Sequence, residues 1–223
     1  MNGLIASIRA RELSFRYRGQ DQWLFEQISF ELKSGQISAL TGPSGSGKST
    51  LCYCLSGVIP RFIKGEFSGD VSLEGRVGMV FQDPDSQLFL PTVEDELAFG
   101  PENLCLPREE IGRRIESILQ LIGLHRLRLA NPVKLSGGGK QLVALGGVLT
   151  LDPDIILLDE PFSQLDDAMR GRIKTVLLEL KRQGKAIVFV EHDKSNLEVA
   201  DQIWLLSRGG LNRQSSPEVI SHD

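Results

Sequence analysis

The amino-acid sequence predicts an α/β fold, and two features of its C-terminal half indicate it. Three short apolar runs occur there, IILL (155–158), AIVFV (186–190) and IWLL (203–206). Continuous rather than alternating apolarity is typical of parallel strands buried on both faces. Between the first two runs, apolar residues recur at helical spacing from Met169 to Leu180, and Gly184 ends the pattern. Strands that alternate with helices predict a parallel sheet covered by helices.

The N-terminal part adds further strands. Residues 5–40 carry β segments separated by turns, with Gly35 at one of them. A second pair of segments lies in VSLEGRVGMVF (71–81), where Gly75 serves the turn. This part of the chain therefore predicts sheet structure with little helix.

The middle of the chain predicts a helical insertion. Residues from about 86 to 150 lack strand signals. Within them, isoleucines and leucines at helical spacing predict a helix over 109–122, which Gly123 closes. We expect this insertion to form a helical subdomain inside one larger unit.

Composition favours a single domain, residues 1–223, and limits its partners. The net charge is −4 and the pI about 5.5, so no overall basic field exists to hold nucleic acid. No stretch approaches the roughly 20 apolar residues of a membrane span, and no signal peptide is apparent, so we expect a cytoplasmic chain without direct membrane insertion. Cys52, Cys54 and Cys105 fit a reducing compartment, and we expect the first two to pack in the core.

A phosphate-binding loop is the most specific motif. GPSGSGKST (42–50) follows the apolar segment ISAL and fits the pattern GxxxxGK[ST]. Small residues let successive backbone N–H groups curl around phosphate oxygens, while Lys48 adds positive charge and Ser49 a hydroxyl for Mg²⁺. The loop predicts nucleoside triphosphate binding. Its residues are Gly42, Pro43, Ser44, Gly45, Ser46, Gly47, Lys48, Ser49 and Thr50.

Acidic and other polar residues end three strand-like runs. Asp159 and Glu160 follow IILL, His192 lies just after AIVFV, and Gln82 follows VGMVF. Ligands bind at the carboxyl edge of open α/β sheets, so we expect Asp159 to hold Mg²⁺ and Glu160 to orient a water. His192 could donate to the terminal phosphate and Gln82 could contact Mg²⁺ or the water. The alternatives are solvated charges and polar loop residues. We expect the remaining histidines, His125 and His222, to be surface residues.

The segment LSGGGKQLVALGG (135–147) holds five glycines and no carboxylate, imidazole or thiol. Its role becomes clear from a resemblance. The phosphate loop, VFQDP, LSGGGKQ, IILLDEP, SQLD (163–166) and His192 occur in the order typical of ABC ATPase nucleotide-binding domains. The resemblance implies a P-loop NTPase with a RecA-like core, an N-terminal antiparallel β subdomain and an inserted α-helical signature subdomain.

The resemblance also implies roles for individual residues. Tyr17 would stack on adenine, although a tyrosine in the core is the alternative. Two chains, identical or unlike, would sandwich two ATP molecules, and each signature segment would contact its neighbour's γ-phosphate. The residues implied to contact ATP, besides those of the phosphate loop, are Tyr17, Gln82, Ser136, Gly137, Gly138 and Asp166. The implied catalytic residues are Lys48, Glu160 and His192, and the implied Mg²⁺ ligands are Ser49, Gln82 and Asp159.

A finer resemblance covers residues 77–107, which look like ATPases of energy-coupling factor transporters, including the cobalt and nickel group. It implies a groove near residues 83–99 that receives a transmembrane coupling subunit, with the chain peripheral on the inner face of the cell membrane. The cargo, a vitamin or a metal ion, stays open. The alternatives are a generic importer ATPase, an ABC ATPase of DNA maintenance or translation, and a nucleotide-gated module without turnover.

The sequence departs from the family pattern at the signature. Gly139 replaces the usual glutamine and Leu142 a common arginine, and Gly146 and Gly147 add further glycine at up to about 1 kcal/mol each. We therefore expect a weakened contribution to the neighbour, as in one half of a pair of unlike ATPases. Family members usually continue further past the histidine into a region that joins subunits. The chain ends in a polar tail instead, and whether it is a shortened form or half of a tandem protein stays open.

Overall fold

The computed structural model describes residues 7–208 and 210–214 and has two sheets. The first is antiparallel, with strand order β2-β1-β4. Its strands are β1 (Ser7–Tyr17), β2 (Phe25–Lys33) and β4 (Gly65–Glu74), which follows β3 (Ile37–Thr41) in the chain. Register shifts within β1 divide both of its pairings. This sheet is the predicted N-terminal β structure.

The second sheet has six strands in the order β5-β6-β7-β3-β8-β9. Neighbouring strands from β5 to β8 are parallel, as predicted, and β9 runs antiparallel to β8. The further strands are β5 (Val77–Val80), β6 (Ile155–Leu158), β7 (Ala186–Val190), β8 (Gln202–Ser207) and β9 (Gly210–Gln214).

Two features of this sheet differ from the sequence prediction. Each residue of β6 and β7 is buried, but in β8 the side chains of Trp204 and Leu205 are only partly covered. Residues 210–214, predicted as part of a polar tail, form β9. β9 lies at the edge of the sheet with only one neighbouring strand, so polar side chains can remain in contact with solvent there.

Two helices, α4 and α6, agree with the periodicity of the sequence. The helices are α1 (Lys48–Ser56), α2 (Val58–Arg61), α3 (Val93–Asn103), α4 (Arg108–Ile122), α5 (Gly137–Leu149) and α6 (Asp167–Arg182). Short 3-10 turns occur at Pro84–Ser86, His125–Leu127, Pro132–Lys134 and Lys194–Val199. Between β5 and β6 the chain is helical or irregular, as predicted for the insertion.

The parallel sheet separates two hydrophobic clusters. Alternate residues of one strand enter different clusters: Ile156 packs with α3 to α6, and Ile155 packs with the antiparallel sheet and α1. This explains the continuous apolar runs, since both faces of the central strands are covered. Cys52 and Cys54 are buried in the second cluster, as expected.

Glycines in α5 permit close packing of helices. A Cβ on Gly146 would lie 2.8 Å from Leu97 Cδ2 of α3 and 2.9 Å from Ile122 Cδ1 of α4. A Cβ on Gly138 would lie 2.5 Å from Met169 Cγ of α6. Real Cβ contacts are longer, so a larger residue at either position would clash with the neighbouring helix. α5 continues through both glycines without a break.

Within the described ranges, no helix combines the length and apolarity needed to cross a membrane.

Candidate nucleotide site

The phosphate loop connects the end of β3 to the start of α1. Gly42 has φ 142°, and a Cβ on it would lie 2.1 Å from the carbonyl oxygen of Leu206 in β8. Gly47 has φ 96° and caps α1, so its backbone is also in the left-handed region. Only glycine adopts these conformations at low cost, and the curled loop directs the N-terminal end of α1 toward its centre.

Lys48, the first residue of α1, is buried beside the loop. Its Nζ donates to the carbonyl oxygens of Gly42 at 3.1 Å and Pro43 at 2.9 Å. Burial lowers the pKa of the Lys48 ammonium, while the charges of Glu160 and Asp159 act in the opposite direction. The ammonium is thus held by two backbone carbonyls of the loop. An anion bound inside the loop would replace these carbonyls as its partner.

Asp159 follows β6 and is only 1% exposed. Ser49 Oγ donates to its Oδ1 at 2.9 Å, which places a hydroxyl and a carboxylate together beside the phosphate loop. Burial raises the pKa of the Asp159 carboxyl, although the Ser49 hydrogen bond opposes that rise. Oxygen ligands of this kind suit Mg²⁺, and a buried carboxylate benefits from a nearby cation.

Glu160 lies between two of the predicted site residues. Gln82 Nε2 donates to Glu160 Oε2 at 2.8 Å, and His192 Nε2 lies 2.8 Å from Glu160 Oε1. The three residues follow β5, β6 and β7, which are neighbours in the parallel sheet, so their carboxyl ends meet at one edge. Glu160 itself has φ 49°, a conformation that is uncommon for a residue with a side chain and frequent at functional sites.

The loop that carries His192 is fixed by Glu191, to which sequence reasoning assigned no role. Glu191 is buried, and its Oε1 accepts from the backbone N–H of His192 at 2.7 Å and of Asp193 at 2.8 Å. Asn196 Nδ2 donates to Glu191 Oε2 at 3.1 Å. A carboxylate directly after an apolar strand pattern and next to a histidine, as in AIVFVEHD, is the signal in the sequence that indicates this arrangement.

Tyr17 ends β1 beside α1. Its hydroxyl shares a hydrogen bond of 2.8 Å with Thr50 Oγ1, and its ring packs edge-on against Phe15 with centroids 5.0 Å apart. The residue therefore adjoins the phosphate loop, as the adenine prediction requires, and it also packs on the core, as the alternative requires. The stacking role stays a prediction.

The signature residues lie on the helical insertion. Ser136 is exposed and caps α5, because its Oγ accepts from Gly139 N at 3.2 Å. Asp166 caps α6 by accepting from Met169 N at 2.8 Å. Among the described residues, no hydrogen bond joins Ser136 or Asp166 to residues 42–50. Their contacts with nucleotide stay a prediction.

His125 is exposed in its 3-10 turn, as expected, and His222 lies outside the described residues. Another buried acid escaped the sequence reasoning. Glu96, in the first turn of α3, accepts from Phe89 N at 2.5 Å and Leu90 N at 2.6 Å through its Oε1. An acid in the first turn of a helix is common, so its burial has no signal in the sequence.

Glu96 holds one side of an apolar groove of about 500 Å³ between α3, α5 and the segment before α3. Phe89 and Phe99 are 64% and 45% exposed at this groove, and their rings meet edge-on with centroids 5.0 Å apart. Other groove residues are Leu88, Leu104, Val148 and Leu151. Large exposed apolar side chains in a group commonly indicate an interaction surface.

A family model described as ABC transporter matches residues 25–163. A putative ABC transporter ATP-binding protein of Pyrococcus horikoshii is 40% identical, and the match covers 96% of this chain and 80% of that protein. The energy-coupling factor transporter ATP-binding protein EcfA of Methanosarcina acetivorans is also 40% identical, over 97% of this chain and 82% of that one. A longer relative, a putative ABC transporter ATP-binding protein of Methanosarcina mazei, is 39% identical. That match covers 92% of this chain and 38% of the relative.

Among solved structures, CbiO1 of Clostridium perfringens, described as part of the ABC transporter complex CbiONQ, matches with a TM-score of 0.84. Its sequence identity is 29%, over 95% of this chain and 88% of that one. This likeness, together with the two sheets and the phosphate loop, confirms the predicted α/β P-loop NTPase fold.

Proposed function

The chain belongs to the ABC transporter family of ATPases, and on that premise we propose that it hydrolyses ATP to drive an energy-coupling factor type importer of a small molecule. The observation that carries the proposal is the arrangement at the carboxyl edge of the sheet. There Glu160 contacts Gln82 and His192, next to Asp159, Ser49 and the phosphate loop. We further propose that residues 1–223 form a single ATPase domain.

The phosphate loop is the proposed ATP site. Its backbone N–H groups and the N-terminal end of α1 would bind the phosphates, and Lys48 would exchange its carbonyl partners for phosphate oxygens. Ser49, Gln82 and Asp159 are the residues that would hold Mg²⁺. When bound, Mg²⁺ supplies positive charge that polarises the phosphate oxygens.

Glu160 is the proposed residue that orients the attacking water. Each oxygen of Glu160 has one partner in the structure and can accept a second hydrogen bond from a water, whereas the contact with His192 must open before that ring reaches a phosphate. His192 would then be free to donate to the terminal phosphate, while Lys48 stabilises the charge that develops there. Glu191 would keep His192 in position, since its carboxylate fixes the backbone of that loop.

A second ATPase subunit, a copy of this chain or a related one, would complete the site. Ser136 and Gly137 are exposed at the N-terminal end of α5, where free backbone N–H groups and the helix dipole favour an anion. This supports binding to a phosphate of a neighbour, and it explains why the segment has glycines rather than acids or bases: a close backbone approach is what it must provide.

A transmembrane coupling subunit is the proposed occupant of the groove around Phe89 and Phe99. Two names support this: EcfA is named a transporter ATP-binding protein, and CbiO1 is described as part of an ABC transporter complex. An amphipathic helix that lays its apolar face in such a groove would bury both aromatic rings. The chain would then be peripheral on the inner face of the membrane, and a vitamin or metal ion would pass through its partner.

Co-purification of proteins with the tagged chain tests the proposal, in a host that also expresses the genes that lie next to the gene of this chain. We expect the tagged chain to capture an integral membrane protein, and the complex to release phosphate from ATP. Phe99→Asp should lose the membrane protein yet keep ATP binding, whereas Leu178→Asp, at a 38% exposed position on α6, should lose neither. Glu160→Gln should assemble normally but stop phosphate release. Recovery of nucleic acid or ribosomes instead of a membrane protein would contradict the transport function.

A further inference from the structure

We propose that the ion pair between Lys140 and Asp85 transmits the state of the chain's own ATP site to the signature helix that it presents to its neighbour. Both would be positioning residues, which act on nucleotide through other groups. The inference rests on the proposed function, since it concerns how the chain's own ATP site communicates with the signature helix that completes its neighbour's site.

The ion pair joins two segments that are far apart in sequence. Lys140 Nζ lies 2.7 Å from Asp85 Oδ1, and the side chains are 17% and 60% exposed. Lys140 belongs to the first turn of α5, where its N–H donates to the carbonyl oxygen of the cap residue Ser136 at 2.9 Å. A displacement of Asp85 therefore acts directly on the turn that carries the signature residues.

At its other end the ion pair is connected to the ATP site. Asp85 lies in the 3-10 turn Pro84–Ser86, three residues after Gln82, which contacts Glu160. Two hydrogen bonds make this turn compact: Asp83 Oδ1 accepts from Asp85 N at 3.0 Å, and Ser86 Oγ donates to Asp83 O at 2.6 Å. A movement of Gln82 away from Glu160 would be passed to Asp85 rather than absorbed in a loose loop.

A cleft of about 440 Å³ leaves room for this movement. It separates the turn after Gln82, the start of α5 and residues 163–165. Within the described part of the chain, the Lys140–Asp85 contact is the only hydrogen bond between residues 82–86 and α5. Gln141, which lines the cleft and is 4% exposed, has an Nε2 without a partner among the described residues. A buried amide without a partner is costly, so a second arrangement that satisfies it would be favoured.

The glycines of the signature increase the importance of the ion pair. Gly137 is exposed and adds no side-chain packing to the first turn of α5, so the Lys140 ion pair and the Ser136 cap are among the polar contacts that restrain this turn. Partly exposed ion pairs contribute little to global stability, so the pair can be broken without unfolding the protein. Its contribution should instead appear as a coupling between two sites.

Hydrogen–deuterium exchange of the full chain tests this coupling. We would measure exchange in residues 136–145, with and without ATP and Mg²⁺, in wild type, Lys140→Met, Asp85→Asn and the charge-swapped Asp85→Lys/Lys140→Asp variant. The matched control is Lys174→Met, which removes an ion pair of the same lysine exposure, 17%, with Glu198 at 3.0 Å. ATP affinity is measured separately for each variant.

We expect wild type and the Lys174→Met control to show the same ATP-induced change in exchange at residues 136–145. In Lys140→Met and Asp85→Asn the change should fall about fivefold or more at unchanged ATP affinity, and the charge swap should restore part of it. An undiminished change in Lys140→Met, or no change in wild type that binds ATP, would overturn the inference alone. Failure of wild type to bind ATP would overturn the proposed function as well.

Discussion

Ser136→Ala separates the structural role of the signature serine from its proposed contact with a neighbour's ATP. In the structure its Oγ caps α5 by accepting from Gly139 N at 3.2 Å, while the residue remains exposed. Alanine cannot accept this hydrogen bond, and it cannot donate to a phosphate. The substitution should therefore weaken both the fold and any ATP-dependent association.

The stability loss can be estimated from the cap. Loss of a serine or threonine cap costs about 1 kcal/mol, which corresponds to roughly 2–4 °C in Tm for a domain of this size. Thr92 gives a matched control, because it caps α3 of the same insertion by accepting from Asp95 N at 3.2 Å. Thr92→Ala should lower Tm by a similar amount, although it also loses a bond to the Asp95 side chain.

The association should respond differently in the two variants. A hydrogen bond to a charged group contributes about 1.5–3 kcal/mol, so loss of both Ser136 contacts in a symmetric dimer weakens association about 100-fold or more. We would measure the ATP-dependent dimerisation constant by sedimentation in the Glu160→Gln background, together with Tm by calorimetry. If Ser136→Ala and Thr92→Ala lowered Tm equally and dimerised equally, Ser136 would be a cap alone, and the proposed contact would be wrong.

Three further predictions concern single residues. Burial raises the pKa of Asp159, so the folded state binds this proton more tightly than the unfolded state and its contribution to stability is lost as the pH rises. Asp159→Asn should thus raise Tm above that of wild type at about pH 8, and less so near pH 4. It should also weaken Mg²⁺-dependent ATP binding. A Tm equal to or lower than that of wild type at the higher pH would contradict this. Gly42→Ala should abolish ATP binding measured by calorimetry, because its Cβ would lie 2.1 Å from Leu206 O. The control Gly171→Ala, with open space around it on α6, should bind ATP normally and gain up to about 1 kcal/mol in stability. Normal binding by Gly42→Ala would refute the assigned loop geometry. Gly139→Gln should raise the rate of phosphate release by the assembled pair of ATPases, and an unchanged rate would show that the missing amide does not limit activity.

Local patterns in the sequence were sufficient to predict the central part of the fold. β6 and β7 are continuous apolar runs because both faces of these strands are buried, and α4 follows its periodicity to Gly123. The extent of cover at the sheet edge has no such pattern. IWLL resembles the central runs, yet in β8 two of its residues are only partly covered, because the strand lies next to the edge strand β9.

The candidate site was predictable where its residues belong to short motifs. Gln82, Glu160 and His192 each follow an apolar run, and their meeting depends only on the order of three neighbouring strands. Contacts between distant segments lacked a signal. The Lys140–Asp85 pair spans 55 positions, and either residue alone looks like an ordinary surface charge.

The same limit applies to Gly146. Its propensity alone predicts a weakened helix, but the structure shows that Leu97 and Ile122 approach it too closely for a larger residue. Close packing of the helices, rather than helix propensity, therefore explains the glycine at this position.

The most direct test of the account is the solution mass of the Glu160→Gln variant by light scattering, with and without ATP and Mg²⁺. The variant should bind ATP but not hydrolyse it, so the nucleotide remains in place. We predict the mass of a single chain without ATP and twice that mass with it, because the capped and exposed start of α5 can close on the nucleotide of a second copy. A variant that binds ATP and keeps the mass of one chain would contradict the claim that this glycine signature closes on the nucleotide of a second copy.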